Sequence, residues 1–160
     1  MRALVLMLAL ASVGADCNGK PQPATPTTPA EKPLVFLGSK DGDTVQVSVE
    51  VVDTPSTRQT GLMNRAQLAE DAGMLFLVPK ESVLTFWMKD TLIALDMIFI
   101  RADMSVAGIV ENAAPMTTTT RSVNAAAQFV LEVNGGFAAR HGIVAGSRVR
   151  FENVPAAPKD

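Results

Sequence analysis

The sequence predicts a mainly β domain: an antiparallel β-sandwich or barrel-like fold of about eight short strands, with one short helix and a helical turn. Three observations predict it. Thr44 to Val52, "TVQVSVEVV", alternates apolar and polar residues with a period of two, the mark of a strand with one wet face. Several continuous apolar runs, such as "GMLFLV" and "MIFI", are too short for core helices. Turn residues recur between these runs at short intervals.

The elements follow in order. "LVFLG" (34–38) is joined to the alternating strand by the turn "KDGD" (40–43). Thr54 followed by Pro55 starts a helix, with a hydroxyl at the N-cap and proline at the first helical position. Gly61 ends or loosens that helix. A second helical turn is expected over Arg65 to Ala69, with Leu62, Met63 and Leu68 toward the core. "GMLFLVP" (73–79) reads as a strand buried on both faces and stopped by Pro79. "VLTFWM" (83–88), "LIALDMIFI" (92–100), "VAGIVEN" (106–112) and "AQFVLEV" (127–133) are further strands, with a Thr-rich loop before the last of these. "FAARHG" (137–142) is one helical turn with Gly142 as a left-handed cap. "SRVRFENV" (147–154) is a last alternating strand.

The chain is organised as a signal peptide (1–15), a Pro-rich tether (16–33), a single β-rich domain (34–154) and a tail (155–160). The apolar h-region, Ala3 to Val13, follows a positive "MR" and precedes small residues. It is shorter than the roughly 20 residues that a spanning helix needs. Five prolines between Pro21 and Pro33 make the next stretch an extended spacer. These features place the protein outside the cytoplasm, in the periplasm or tethered to the membrane surface. Cys17, the only cysteine, stands where a bacterial lipoprotein is acylated, although Asp16 and Gly14 depart from that signal. Lipid anchoring at Cys17 and a cleaved soluble product are both open. Membrane contact is expected only through such an anchor.

A composition of 48% hydrophobic and 19% charged residues supports a packed core. The net charge of −2 argues against a nucleic-acid partner. One Cys excludes an internal disulfide framework. A single histidine, His141, gives too few ligands for a His/Cys metal site. No nucleophile elbow or phosphate-cradling glycine loop is present. No metal and no cofactor are expected. The six methionines between Met63 and Met116 form no closely spaced thioether cluster and read as core filling.

Four blocks carry a family resemblance: "RQTGLMNR" (58–65), "GMLFLV" (73–78), "FWMKDTLIALDMIFI" (86–100) and "VLEVNGGFAARHGIVAGSRV" (130–149). In these the chain resembles the prokaryotic domain-of-unknown-function 192 family. The resemblance implies a mainly β domain, often exported or lipid-tethered, and implies no activity. The family most often has Asn where Asp90 stands and an acidic residue where Ser147 stands.

The candidate binding residues are Arg58, Arg65, Trp87, Lys89, Asp90, Thr91, Asp96 and Glu132. Lys89-Asp90-Thr91 reads either as the polar mouth of a pocket walled by Phe86, Trp87 and Met88, or as a tight turn. Asp96, inside an apolar strand, needs a partner if buried, and Arg58 and Arg65 are the candidates for an ion pair. Glu132 shares a strand face with Val130, and a working pair with Asp96 is the less favoured alternative. The leading function is a non-catalytic binding module for a small molecule, a glycan or an envelope protein. The alternatives are an enzyme using carboxylates and a structural or assembly factor of the envelope.

Overall fold

A computed structural model describes residues 31–158. The expected signal peptide, nearly all of the tether and Cys17 lie outside the described residues. Seven strands form one mixed, curled sheet. They are β1 (Leu34–Gly38), β2 (Thr44–Val52), β3 (Ala72–Val83), β4 (Leu95–Ile100), β5 (Val106–Ala113), β6 (Ala126–Asn134) and β7 (Val149–Glu152). The helices are α1 (Pro55–Thr60) and α2 (Phe137–Arg140). The order across the sheet is β5-β4-β6-β3-β2-β1-β7.

The mainly β reading holds, and the sheet is a half-barrel rather than a pair of packed sheets. Its two outer strands approach at one end. Ser105 bridges Arg148, and the Val106 amide donates to the Ser147 carbonyl at 2.9 Å. These bonds tie the start of β5 to the start of β7 and curl the sheet.

The expectation of an antiparallel fold is corrected at one pair: β2 and β3 run parallel, with Val51 opposite Leu75. Parallel neighbours need a crossover of a dozen or more residues. The segment between Val52 and Ala72, containing α1, supplies it. Thr54 caps α1 as the sequence predicts: its side chain accepts from the Thr57 amide at 3.2 Å, and Pro55 is the first helical residue. Gly61 ends the helix. No helical turn forms over Arg65 to Ala69, which run as loop. Leu62, just before this loop, is buried, and Leu68 within it packs against the core.

Two further elements differ. Pro79 does not stop β3. The strand runs on to Val83, with its register against β6 shifting between Leu77 and Ser82. Proline lacks the amide that a regular ladder needs, and an irregularity accommodates it. The segment 83–88 is not a strand of its own. Beyond the end of β3 it makes one bridge, Phe86 with Arg121, and the Met88 amide donates to the Thr117 carbonyl at 2.8 Å. Those partners belong to the Thr-rich loop, whose lack of alternation gives no extended ladder. Seven strands result instead of about eight.

The sheet buries both faces at its centre, which is why β4 is buried at every residue. One face gathers Val35, Leu37, Val47, Leu75, Ile98, Leu131, Val133 and Phe137. The opposite face gathers Leu62, Met74, Phe76, Met88, Met97, Phe99 and Val130. Alternation along β4 and β6 assigns residues to these two faces. Leu95, Met97 and Phe99 go one way, while Ile98 and Ile100 go the other.

A candidate binding cavity beside α1

The face built on Met74, Phe76 and Met97 is not fully covered. α1, residues 61–63 and residues 84–87 stand around it. Between them lies a cavity of about 550 Å³, within the range of small-molecule sites. Its wall is largely apolar: Leu62, Met63, Phe76, Val78, Leu84, Phe86 and Trp87. Phe86 meets Phe76 and Phe99 edge-on, with ring centroids 5.1 and 5.9 Å apart. Trp87, 47% exposed, marks the open side.

Glu132 lies deep in this cavity and is only 5% exposed. In the ladders it stands opposite Met74 of β3 and Met97 of β4. Both neighbours are apolar and buried. No side-chain or backbone group among the described residues hydrogen-bonds or ion-pairs with its carboxyl. Burial alone therefore pushes the carboxyl up to about 8, because a carboxylate loses more hydration than a neutral acid. Burial thus favours the protonated carboxyl at neutral pH, which can both donate and accept.

Arg58 is the other ionisable group on the wall. Its guanidinium Nη1 donates to the carbonyls of Asp53 and Leu77, the latter at 2.9 Å. The side chain thus ties α1 to β3 and does not neutralise Glu132. Thr91 also lines the cavity; it is buried, and its hydroxyl donates to the Lys89 carbonyl at 3.2 Å.

Of the candidates, Arg58, Trp87, Thr91 and Glu132 line the cavity, and Arg65, Lys89, Asp90 and Asp96 do not. Lys89 and Asp90 form a turn rather than the mouth. Asp90 has φ 52, and its carbonyl accepts from the Asn64 amide at 2.7 Å. The left-handed backbone suits Asp and Asn among non-glycine residues. Met88 is buried in the core and does not wall the cavity.

The expected ion pair of Asp96 with Arg58 or Arg65 is overturned. Arg65 makes a two-pronged pair with Glu50, both contacts at 2.5 Å. Its hydrogen bonds hold the Glu50 carboxyl below the usual range. Asp96, wholly buried, is held by backbone amides. Oδ1 accepts from Asn112 and Gly136 at 2.8 and 2.9 Å, and Oδ2 accepts from Ala138 at 2.8 Å. Backbone donors satisfy a carboxylate as fully as a guanidinium does. Gly136, at φ 77, is the N-cap of α2 and turns its amide to this carboxylate. Ser147 likewise has a structural task, accepting from the Val144 amide at 3.1 Å.

Leu62, Phe76, Thr85 and Thr120 also line the cavity and were not legible as site residues. The Thr54-Pro55 signal announces α1 but not where it docks. Among the described residues, no group of three His, Cys, Asp or Glu side chains is placed to hold a metal. No helix among them is long and apolar enough to cross a membrane.

Fold and cavity together define a mainly β domain with a hollow between its sheet and the α1 crossover. The chain belongs to the DUF192 family, described as uncharacterised ACR, whose model matches residues 37–151. The fold is similar to that of a candidate transcription regulator from Sinorhizobium meliloti 1021, at TM-score 0.74 and 36% identity over 78% of this chain and 97% of that one. It is also similar to a protein of unknown function from Novosphingobium aromaticivorans DSM 12444, at TM-score 0.70 and 37% identity over 73% and 83% of the two chains. No curated protein matches the chain.

Proposed function

We propose that this protein is a small-molecule binding module that works outside the cytoplasm, in the cell envelope. The observation that carries the binding role is the cavity of about 550 Å³ with the unpartnered Glu132 carboxyl deep inside it. Apolar walls supply affinity, and one buried polar group supplies orientation, the usual economy of ligand sites. The apolar h-region and the five prolines that follow it support export. A net charge of −2 weighs against a nucleic-acid role, including the one that the name of the S. meliloti neighbour suggests for that protein.

An enzyme is the second reading, favoured by the Glu132 carboxyl near 8, a range suited to proton transfer. Among the described residues that line the cavity there is no second acid, no histidine and no cysteine, so binding remains the stronger reading.

Trp87 is the only tryptophan and stands at the opening. Its fluorescence is therefore a direct reporter of occupancy. A library of small polar-headed apolar compounds is expected to give saturable changes in Trp87 emission together with a raised melting temperature. Thr120→Phe, which fills the opening from an exposed lining position, should abolish both. Ligand recovered unchanged by mass spectrometry supports binding, whereas a converted product supports the enzyme. Saturable binding that survives Thr120→Phe would place the site elsewhere.

A further inference from the structure

We propose that the cavity takes an organic ammonium: a protonated amine pairs with the Glu132 carboxylate, and its apolar arm lies against Phe76, Phe86 and Trp87. This rests on the cavity being the small-molecule site.

A carboxyl buried among methionines is costly unless something answers it. Among the described residues nothing does, and the carboxyl faces the cavity. Met74 and Met97 flank Glu132 in the ladders, and the guanidinium Nη1 of Arg58 is directed to main-chain carbonyls. A ligand cation supplies the missing partner within the cavity itself. The aromatic walls take the apolar arm of the same ligand. A ligand carboxylate fits less well. It would set a second acid beside Glu132.

Binding has a proton balance. The empty site holds a neutral acid at pH 7. The ligand enters as R–NH3⁺, the carboxyl proton passes to solvent, and the ion pair forms with no covalent change. The groups facing Glu132 are Met74 and Phe76 from β3, Met97 from β4, Arg58 from α1 and Thr91 from the turn. Of these only Arg58 is charged, and it stays protonated throughout. Affinity for the amine should therefore rise about tenfold per pH unit until pH 8 or so, then level off.

The test uses the full chain and three probes of one shape: 2-phenylethylamine, 2-phenylethanol and 3-phenylpropionate. Calorimetry between pH 6 and pH 8, in buffers of different ionisation enthalpy, reads affinity and proton release together. The amine is expected to bind most tightly, with close to one proton released per ligand below pH 8. Glu132→Gln, whose fold is checked by urea unfolding, should weaken the amine at least tenfold and spare the alcohol. If Glu132→Gln does not fold, proton release and probe order in the unaltered protein decide. Alcohol or propionate binding as tightly as the amine, or no proton release, overturns the ammonium and leaves the cavity reading standing. No binding of any of the three at millimolar concentration overturns both.

Discussion

Asp96 and Glu132 lie on adjacent strands and face opposite sides of the sheet. Asp96 stands opposite Val133 of β6, and Glu132 stands opposite Met97 of β4. Successive side chains alternate between faces, so the one-residue offset separates the two carboxyls by the thickness of the sheet. One is satisfied by three amides, and the other by no group among the described residues. The first is a fastening of the fold, and the second is the centre of the cavity.

Asp96→Ala should be strongly destabilising. It leaves the amides of Asn112, Gly136 and Ala138 without their acceptor, and lost bonds to a charged group cost about 1.5–3 kcal/mol each before relaxation. A total loss of about 3 kcal/mol or more is expected from urea unfolding. Asp96→Asn should fall between, because its amide nitrogen cannot accept. A loss below about 0.5 kcal/mol for Asp96→Ala would mean that these bonds do not hold α2 and β5 in place.

Glu132 sets a pH dependence of stability. Its carboxyl is raised from 4.5 to about 8 in the folded protein. Between those values the unfolded chain has lost a proton that the folded chain keeps. The contribution of this group is thus fully present below about pH 4.5 and declines as pH rises toward 8, by up to about 1.4 kcal/mol per unit. Above 8 it changes no further. Glu132→Gln should flatten this slope, and Glu132→Met should make the protein more stable than its parent at pH 8. Identical pH profiles for parent and Glu132→Gln would show that the carboxyl is hydrated rather than buried.

The turn at Lys89-Asp90 has a clear rank order. Lys89→Ala should change stability by less than about 0.5 kcal/mol, because the side chain is exposed. Asp90→Asn should be close to neutral. Asp90→Val should cost about 1–3 kcal/mol, because a β-branched residue is strained at φ 52. Urea midpoints for the three variants test the order. An Asp90→Val protein as stable as its parent would remove the backbone argument.

Arg65→Ala should cost under about 1 kcal/mol, and ligand binding should be unaffected. The pair with Glu50 is two-pronged, but its side chains are 37% and 57% exposed, and exposed pairs contribute little. Arg58→Ala should cost more than Arg65→Ala, because it leaves the Leu77 carbonyl without its guanidinium donor. Equal losses would contradict that assignment.

Much of the fold is legible in local patterns. Period-two alternation announces β2, and its Val45 and Val47 stand opposite Leu37 and Val35 of β1. Thr54-Pro55 announces α1, which carries the expected cap. The alternation of "VLEV" sets Glu132 beside Val130 and away from Leu131, as the core faces show. Pairing over distance is not legible in the same way. The parallel run of β2 beside β3, the passage of β3 through Pro79 and the bridge from Phe86 to the Thr-rich loop depend on partners far along the chain.

The sequence by itself determined the secondary-structure class, the family and the presence of acids within apolar strands, because spacing and side-chain type act locally. Only the tertiary structure decided what those acids do. Asp96 and Glu132 are each an acidic residue in a greasy run, and nothing in either run distinguishes them. The turn from β6 into α2 brings the amides of Gly136 and Ala138 to one, while the α1 crossover leaves a hollow over the other. A buried carboxyl takes its role from the groups that fold against it, and those groups come from elsewhere in the chain.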